Sequence, residues 1–118
     1  MENNYGNPSS VHKLGLAADR TLREARKSLG EIINCGEDEI IFTSGGSESN
    51  NFVINSYGRL GGHIITTEIE HASVGETYRA LEAKGVKVTY LKVDSKGRVD
   101  LEALKAAIDK DTLLVSTM

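Results

Sequence analysis

Ile40-Ile41-Phe42-Thr43-Ser44-Gly45-Gly46-Ser47-Glu48-Ser49-Asn50 is the stretch from which the rest of this chain is read. A short apolar run, two adjacent glycines and residues suited to a first helical turn follow one another, which predicts a buried strand, a tight turn and a helix start. Two glycines free the backbone to turn several N–H groups towards one ligand with no side chain between. The unpaired N–H groups of a helix start, and the positive end of its dipole, favour a phosphate or carboxylate, to which Ser47 adds a hydroxyl. The same residues also fit an ordinary helix capped by Ser47.

Upstream, Asn7-Pro8-Ser9-Ser10 predicts a turn that leads into a helix beginning near Val11-His12-Lys13-Leu14. Ala18, Leu22, Ala25, Leu29 and Ile32 recur at helical spacing, with Arg20, Arg23, Glu24, Lys27 and Glu31 on the other face. Asn34-Cys35-Gly36 supplies the stop, which makes Cys35 a small, partly buried residue at a helix end rather than a nucleophile. Glu39 to Thr43 is expected to be a short strand.

Downstream, a second helix is expected from Ser47 to Leu60, with Val53, Tyr57 and Leu60 as its apolar stripe and Gly61-Gly62 as its end. His63-Ile64-Ile65-Thr66-Thr67 is the next strand, and His63 at its start is assigned a structural role. Glu68-Ile69-Glu70-His71-Ala72-Ser73 then opens a third helix with Val74, Tyr78 and Leu81 on one side, stopped by Gly85. Val86 to Val93 reads as a strand near a sheet edge, and Asp94 to Arg98 as a turn. Asp100 caps a helix carrying Leu101, Leu104 and Ile108, and Thr112 to Thr117 is a last strand. This alternation predicts an α/β fold, a three-layer α/β/α sandwich around a mostly parallel sheet, and the length of 118 residues allows one domain at most, residues 1–118, which the resemblance given below makes a partial one. Ligands of such sheets gather at the carboxyl ends of the strands, which puts the glycine turn and His71 at one crevice.

Composition narrows the partners. Fourteen basic and seventeen acidic residues, for a net charge of −3, give no extended basic surface for nucleic acid. A lone cysteine forms no internal disulfide, offers no metal-ligand spacing, and fits a reducing, cytoplasmic setting. Neither a secretory leader nor a bilayer-length apolar run is present, so no membrane role is expected. Three chemistries compete. In a dinucleotide site the turn would hold a pyrophosphate and Glu68 or Glu70 a ribose, although Ser44-Gly45-Gly46-Ser47-Glu48-Ser49 lacks the G-x-G-x-x-G pattern. In a monophosphate cofactor site, with pyridoxal phosphate as the example, the phosphate would lie at the helix start and His71 against the ring. The third reading is a fragment or interaction module without a ligand.

Four segments in order carry a resemblance. Gly6-Asn7-Pro8-Ser9-Ser10-Val11-His12, Phe42-Thr43-Ser44-Gly45-Gly46-Ser47-Glu48-Ser49-Asn50, Thr67-Glu68-Ile69-Glu70-His71 and Leu113-Leu114-Val115-Ser116 together resemble an internal portion of a cysteine desulfurase. These belong to the class V aminotransferase group of fold type I pyridoxal-phosphate enzymes, and the similarity spans essentially the whole chain. The resemblance implies pyridoxal 5′-phosphate as cofactor, held at its phosphate by Gly46 and Ser47, where threonine is the commoner family residue. It implies that His71 stacks on the pyridine ring and assists proton transfer with the substrate amine, and no metal site is expected from the residues. His12 and Asn7 would line the active-site mouth or a dimer contact, and an ordinary helix-start turn explains them equally well. L-Cysteine would be the substrate, alanine the product, and the sulfur would pass as an enzyme persulfide to an acceptor protein for iron–sulfur cluster assembly or other transfer. A selenocysteine lyase or another class V aminotransferase shares the same turn. The lysine that attaches the cofactor, the aspartate that pairs with the ring nitrogen and the sulfur-accepting cysteine match no residue here, and Cys35 does not fit the last role. The expectation is therefore a piece of a homodimeric or self-associating enzyme that is inactive by itself.

Overall fold

A computed structural model describes residues 5–118, which divide into two compact units, one reaching to Phe42 and the other Thr43–Met118. The first unit is built on α1, Lys13–Ile33. Its entry is the predicted turn: Asn7 accepts from the Ser9 N–H through Oδ1 at 3.0 Å and from the Ser10 N–H through its carbonyl at 3.0 Å. The cap is His12 rather than a serine, its Nδ1 accepting from the Gly15 N–H at 3.3 Å. Gly15 allows the turn to lie against the helix, since a Cβ there would stand 2.3 Å from the Ser10 carbonyl oxygen. At the other end Asn34 takes the left-handed conformation (φ 58°, ψ 51°), one of the few non-glycine residues that does so at modest cost, and half-buried Cys35 donates its N–H to Gly30.

Two expectations fail in this unit. Of the proposed apolar stripe only Ala18 is buried and Leu22 half-buried, whereas Ala25, Leu29 and Ile32 are exposed. Among the described residues of this unit the remaining regular element is the short 3₁₀ turn Glu37–Glu39, too small to cover a six-turn helix face. Glu39 to Thr43 is not a strand. Ile40 is extended (φ −95°, ψ 121°), but it makes no ladder, its carbonyl is taken by Arg26 Nε at 3.2 Å, and the Arg26 guanidinium lies 5.3 Å from the Phe42 ring centre. Extended backbone becomes a strand only with a paired neighbour, and this segment pairs with none of the three strands of the described sheet.

The second unit contains α2 (Gly46–Gly58), β1 (His63–Thr67), α3 (Ala72–Glu82), β2 (Lys87–Leu91), α4 (Leu101–Ala107) and β3 (Thr112–Val115). The sheet is parallel throughout with order β2-β1-β3, and its register pairs His63 with Lys87 and with Thr112. Central β1 is buried along its whole length, as a strand covered on both faces must be, and β2 occupies the predicted edge. Ile54, Ile64, Val74, Tyr78 and Leu81 form the core, joined at its margin by Val86, Val88, Tyr90 and Leu114.

The stripe of α2 is corrected. Val53, Tyr57 and Leu60 are exposed, and the packed face lies one residue further on at Ile54 and Gly58. Gly58 is where α2 meets α3 most closely, because a Cβ there would sit 2.6 Å from both terminal methyls of Leu81. Asp100 caps α4 as expected, accepting from the N–H groups of Glu102 and Ala103. The Asp94 to Arg98 turn closes with the Asp94 N–H on the Arg98 carbonyl and Gly97 at φ 76°.

Candidate functional site

The glycine turn and the start of α3 are two helix N-termini on neighbouring helices of the second unit. At the first, Gly45 precedes the helix at φ 159°, ψ −179°, and Ser49 makes the first intrahelical bond back to the Gly45 carbonyl. Helix geometry leaves the N–H groups of Gly46, Ser47 and Glu48 without a carbonyl one turn earlier. Glu48 folds back, accepting from the Ser44 hydroxyl and the Ser44 N–H at 2.6 Å each. Those two bonds, hydroxyl first, hold its carboxyl below the usual carboxylate range. Thr43 Oγ1 lies 2.7 Å from Ser49 Oγ and pins the turn from its other side. Ser47 does not cap the helix: it stands within the first turn, exposed. Space above the turn is open, since a Cβ built on Gly45 or Gly46 meets nothing within 4 Å.

At the second terminus His71 is the cap. Its Nδ1 accepts from the Ser73 N–H at 3.2 Å and lies 2.8 Å from Ser73 Oγ. An N–H donor at Nδ1 means that Nε2 carries the proton of the neutral ring. The loop before it is held by Glu70, whose Oε1 accepts from Thr67 Oγ1 at 2.6 Å and from the Met118 N–H at 2.9 Å. Glu70 is thereby committed to the loop, away from the ribose role considered for it, and Glu68 is exposed.

The crevice at two strand ends is revised, because the residues before the glycine turn are not in the sheet. What brings Gly46 and Ser47 into one frame with His71 is the packing of α2 on α3 and one side chain, Asn51. Its Nδ2 donates to the Ser47 carbonyl at 2.8 Å and to the Ser73 carbonyl at 3.1 Å, and Thr77 Oγ1 donates to its Oδ1. The sequence reading missed Asn51 and Thr77. The available signal was a polar residue falling on the same helical face as Ile54 and Gly58. Of the other histidines, His12 caps α1 and His63 is buried in the sheet. Among the described residues no group of three metal-ligating side chains converges, and no helix is long and apolar enough to cross a membrane.

All 118 residues match the family described as aminotransferase class-V. The chain belongs to that family. This class V chain is 52% identical over 118 residues to a NifS/IcsS protein homolog of Lactobacillus delbrueckii subsp. bulgaricus, covering 97% of this chain and 31% of the relative. It is 44% identical over 122 residues to cysteine desulfurase IscS of Dictyoglomus turgidum, covering 100% of this chain and 31% of that protein. Among solved structures, a NifS-like protein superposes with a TM-score of 0.91 at 41% identity, over 98% of this chain and 33% of the other. A structure described as SspA in complex with cysteine gives 0.88 at 32% identity, over 99% and 35%. The chain thus spans about a third of the length of the relatives it matches. These likenesses fix the α/β fold as that of the class V aminotransferases, and the dinucleotide alternative is not favoured. Pyridoxal phosphate is the cofactor that such a family implies in general, and the residues present fit it. The α2 turn offers free N–H groups, an exposed hydroxyl and open space to a phosphate, and the α3 cap offers an imidazole.

Proposed function

We propose that the complete protein to which this chain belongs is a pyridoxal-phosphate-dependent cysteine desulfurase. It takes sulfur from L-cysteine, leaves alanine and passes the sulfur to an acceptor protein for iron–sulfur cluster assembly or other transfer. The chain is part of its cofactor-binding large domain, in a cytoplasmic homodimer. The observation that carries this reading is the pair of helix starts bridged by Asn51, one offering anion donors and the other an imidazole, in a chain whose relatives bear that name.

Gly46 and Ser47 bind the cofactor phosphate through their N–H groups and the Ser47 hydroxyl, and the α2 dipole adds to the attraction. Bound there, pyridoxal 5′-phosphate supplies an electron sink for bonds at the amino-acid Cα. His71 would lie against the cofactor ring and would hold or move a proton at Nε2. In the geometry seen, Nε2–H is a donor. To accept a proton from the substrate amine, the ring shifts its own proton to Nδ1, with the Ser73 hydroxyl turning from donor to acceptor and the Ser73 N–H bond released.

Titration of the complete protein with pyridoxal 5′-phosphate and with NAD, followed by alanine and sulfide release from L-cysteine, tests the reading. A new visible absorbance band with the first ligand and none with NAD is expected, together with turnover that His71→Ala lowers by about 100-fold. NAD binding, or no turnover of L-cysteine, would overturn it, and undiminished turnover in His71→Ala would remove His71 from the proton transfer.

A further inference from the structure

We propose that Asn51 is the positioning residue of this site, its carboxamide setting the spacing between the phosphate turn of α2 and the His71 end of α3. The inference rests on the cofactor reading above and adds what keeps the two ends of the ligand in register. A carboxamide carries two donors and an acceptor in one plane, and all three are engaged here. The donors reach the carbonyls of Ser47 and Ser73, each the second residue of its helix, and the acceptor receives the Thr77 hydroxyl. The tie therefore grips the main chain of both first turns, the backbone that aims the Gly46 and Ser47 N–H groups and carries the His71 cap. A side-chain contact could swing, whereas two backbone carbonyls cannot move without their helices.

The amide orientation is fixed by its partners. Carbonyl oxygens only accept, so Nδ2 faces them and Oδ1 faces Thr77. Asn55 Nδ2 donates to the Asn51 carbonyl at 2.8 Å, bracing the next turn of α2. An aspartate at this position would keep the shape and turn a carboxylate onto two carbonyl oxygens. Asp should therefore be worse than Ala, the reverse of what shape alone would give. A ligand held at both ends feels the spacing of the two helix starts, and a ligand held at one end does not. That difference separates positioning from mere support of the fold.

The test uses the complete protein and the variants Asn51→Ala, Asn51→Asp, Thr77→Val and Thr77→Ser. Dissociation constants for pyridoxal 5′-phosphate and for pyridoxal, which lacks the phosphate, are read by absorbance well below each melting temperature. Absence of pyridoxal 5′-phosphate binding by the unmodified protein would overturn the cofactor reading and this inference with it. Where the unmodified protein binds, Asn51→Ala should weaken pyridoxal 5′-phosphate about tenfold and Asn51→Asp more, while pyridoxal changes by less than about threefold. Thr77→Val should weaken pyridoxal 5′-phosphate about threefold and Thr77→Ser restore it. Equal weakening of both ligands, or unchanged pyridoxal 5′-phosphate affinity in Asn51→Ala, would overturn the positioning role. If the Asn51 variants do not fold, Thr77→Val decides: an unchanged preference for the phosphorylated ligand overturns the proposal.

Discussion

His63 and His71 stand at opposite ends of β1 and its exit loop, and the same side chain has been put to opposite uses. His63 is 1% exposed and has both ring nitrogens engaged, Nδ1 with Thr112 Oγ1 at 2.9 Å and Nε2 with Thr89 Oγ1 at 2.8 Å. One imidazole thereby crosses all three strands, because Thr89 lies on β2 and Thr112 at the start of β3. Thr112 Oγ1 receives the Asp109 N–H at 2.9 Å and donates to Asp109 Oδ1 at 3.2 Å, so the His63 proton sits on Nδ1 and Thr89 donates to Nε2. His71 is exposed, uses only Nδ1, and leaves Nε2 for a partner outside the chain. A histidine with both nitrogens satisfied inside a sheet locks strands, and one with a spare nitrogen at a helix start is equipped for chemistry. The amino end of the sheet is closed by this bridge, whereas the helix after the carboxyl end of β1 starts on an exposed imidazole.

The largest expected effect comes from removing the lock. His63→Ala deletes a buried ring and leaves the Thr89 hydroxyl without its acceptor and Thr112 without its donor, for a loss of about 3 kcal/mol in urea unfolding. A change below about 1 kcal/mol would mean that the strands do not depend on this bridge, and the contrast between the two ends would fall. The corresponding change at the other end is smaller. His71→Ala removes one helix cap and should cost about 1 kcal/mol of stability, while the proposed activity suffers most. The larger stability loss should thus fall at His63 and the larger activity loss at His71, and losses of equal size at the two positions would erase the distinction.

How much of this was legible depended on which physical signal each residue leaves in a sequence. The strand His63 to Thr67 was readable because a run of apolar and β-branched residues lies just after two glycines, and Val74, Tyr78 and Leu81 because their spacing is helical. The stripe of α2 was misplaced because its packed face includes Asn51, Asn55 and Gly58, which hydrophobic periodicity cannot score. Ile40 to Thr43 has strand composition, yet a strand is a pairing, and its partner is not written in the segment itself. The glycine turn and the helix start at His71 were visible as local patterns. Asn51 was not, because its bond to Ser73 crosses 22 residues and no short-range pattern reports it.

The smallest expected effect sharpens the closed end by pH. Asp109 Oδ2 accepts from Lys87 Nζ at 2.8 Å, and Oδ1 accepts from the Asp111 N–H at 2.9 Å and from the Thr112 hydroxyl. The Lys87 hydrogen bond leads these in holding the Asp109 carboxyl down at about 2. A carboxyl lower in the folded than in the unfolded chain stabilises the fold above its unfolded pKa, about 4, and that contribution disappears as pH falls towards 2. Stability should therefore decline over that window, and Asp109→Asn should flatten the decline. The group is exposed and its Lys87 partner is solvated, so solvent screening keeps the effect modest and added salt should weaken it further. Since Asp109 Oδ2 also lies 3.5 Å from His63 Nδ1, its protonation loosens the surroundings of the bridge without breaking either threonine bond. Unfolding curves of Asp109→Asn at pH 5 should still show the full cost of adding His63→Ala. If the two substitutions instead cancel, the lock is the Asp109 carboxylate rather than the threonine pair.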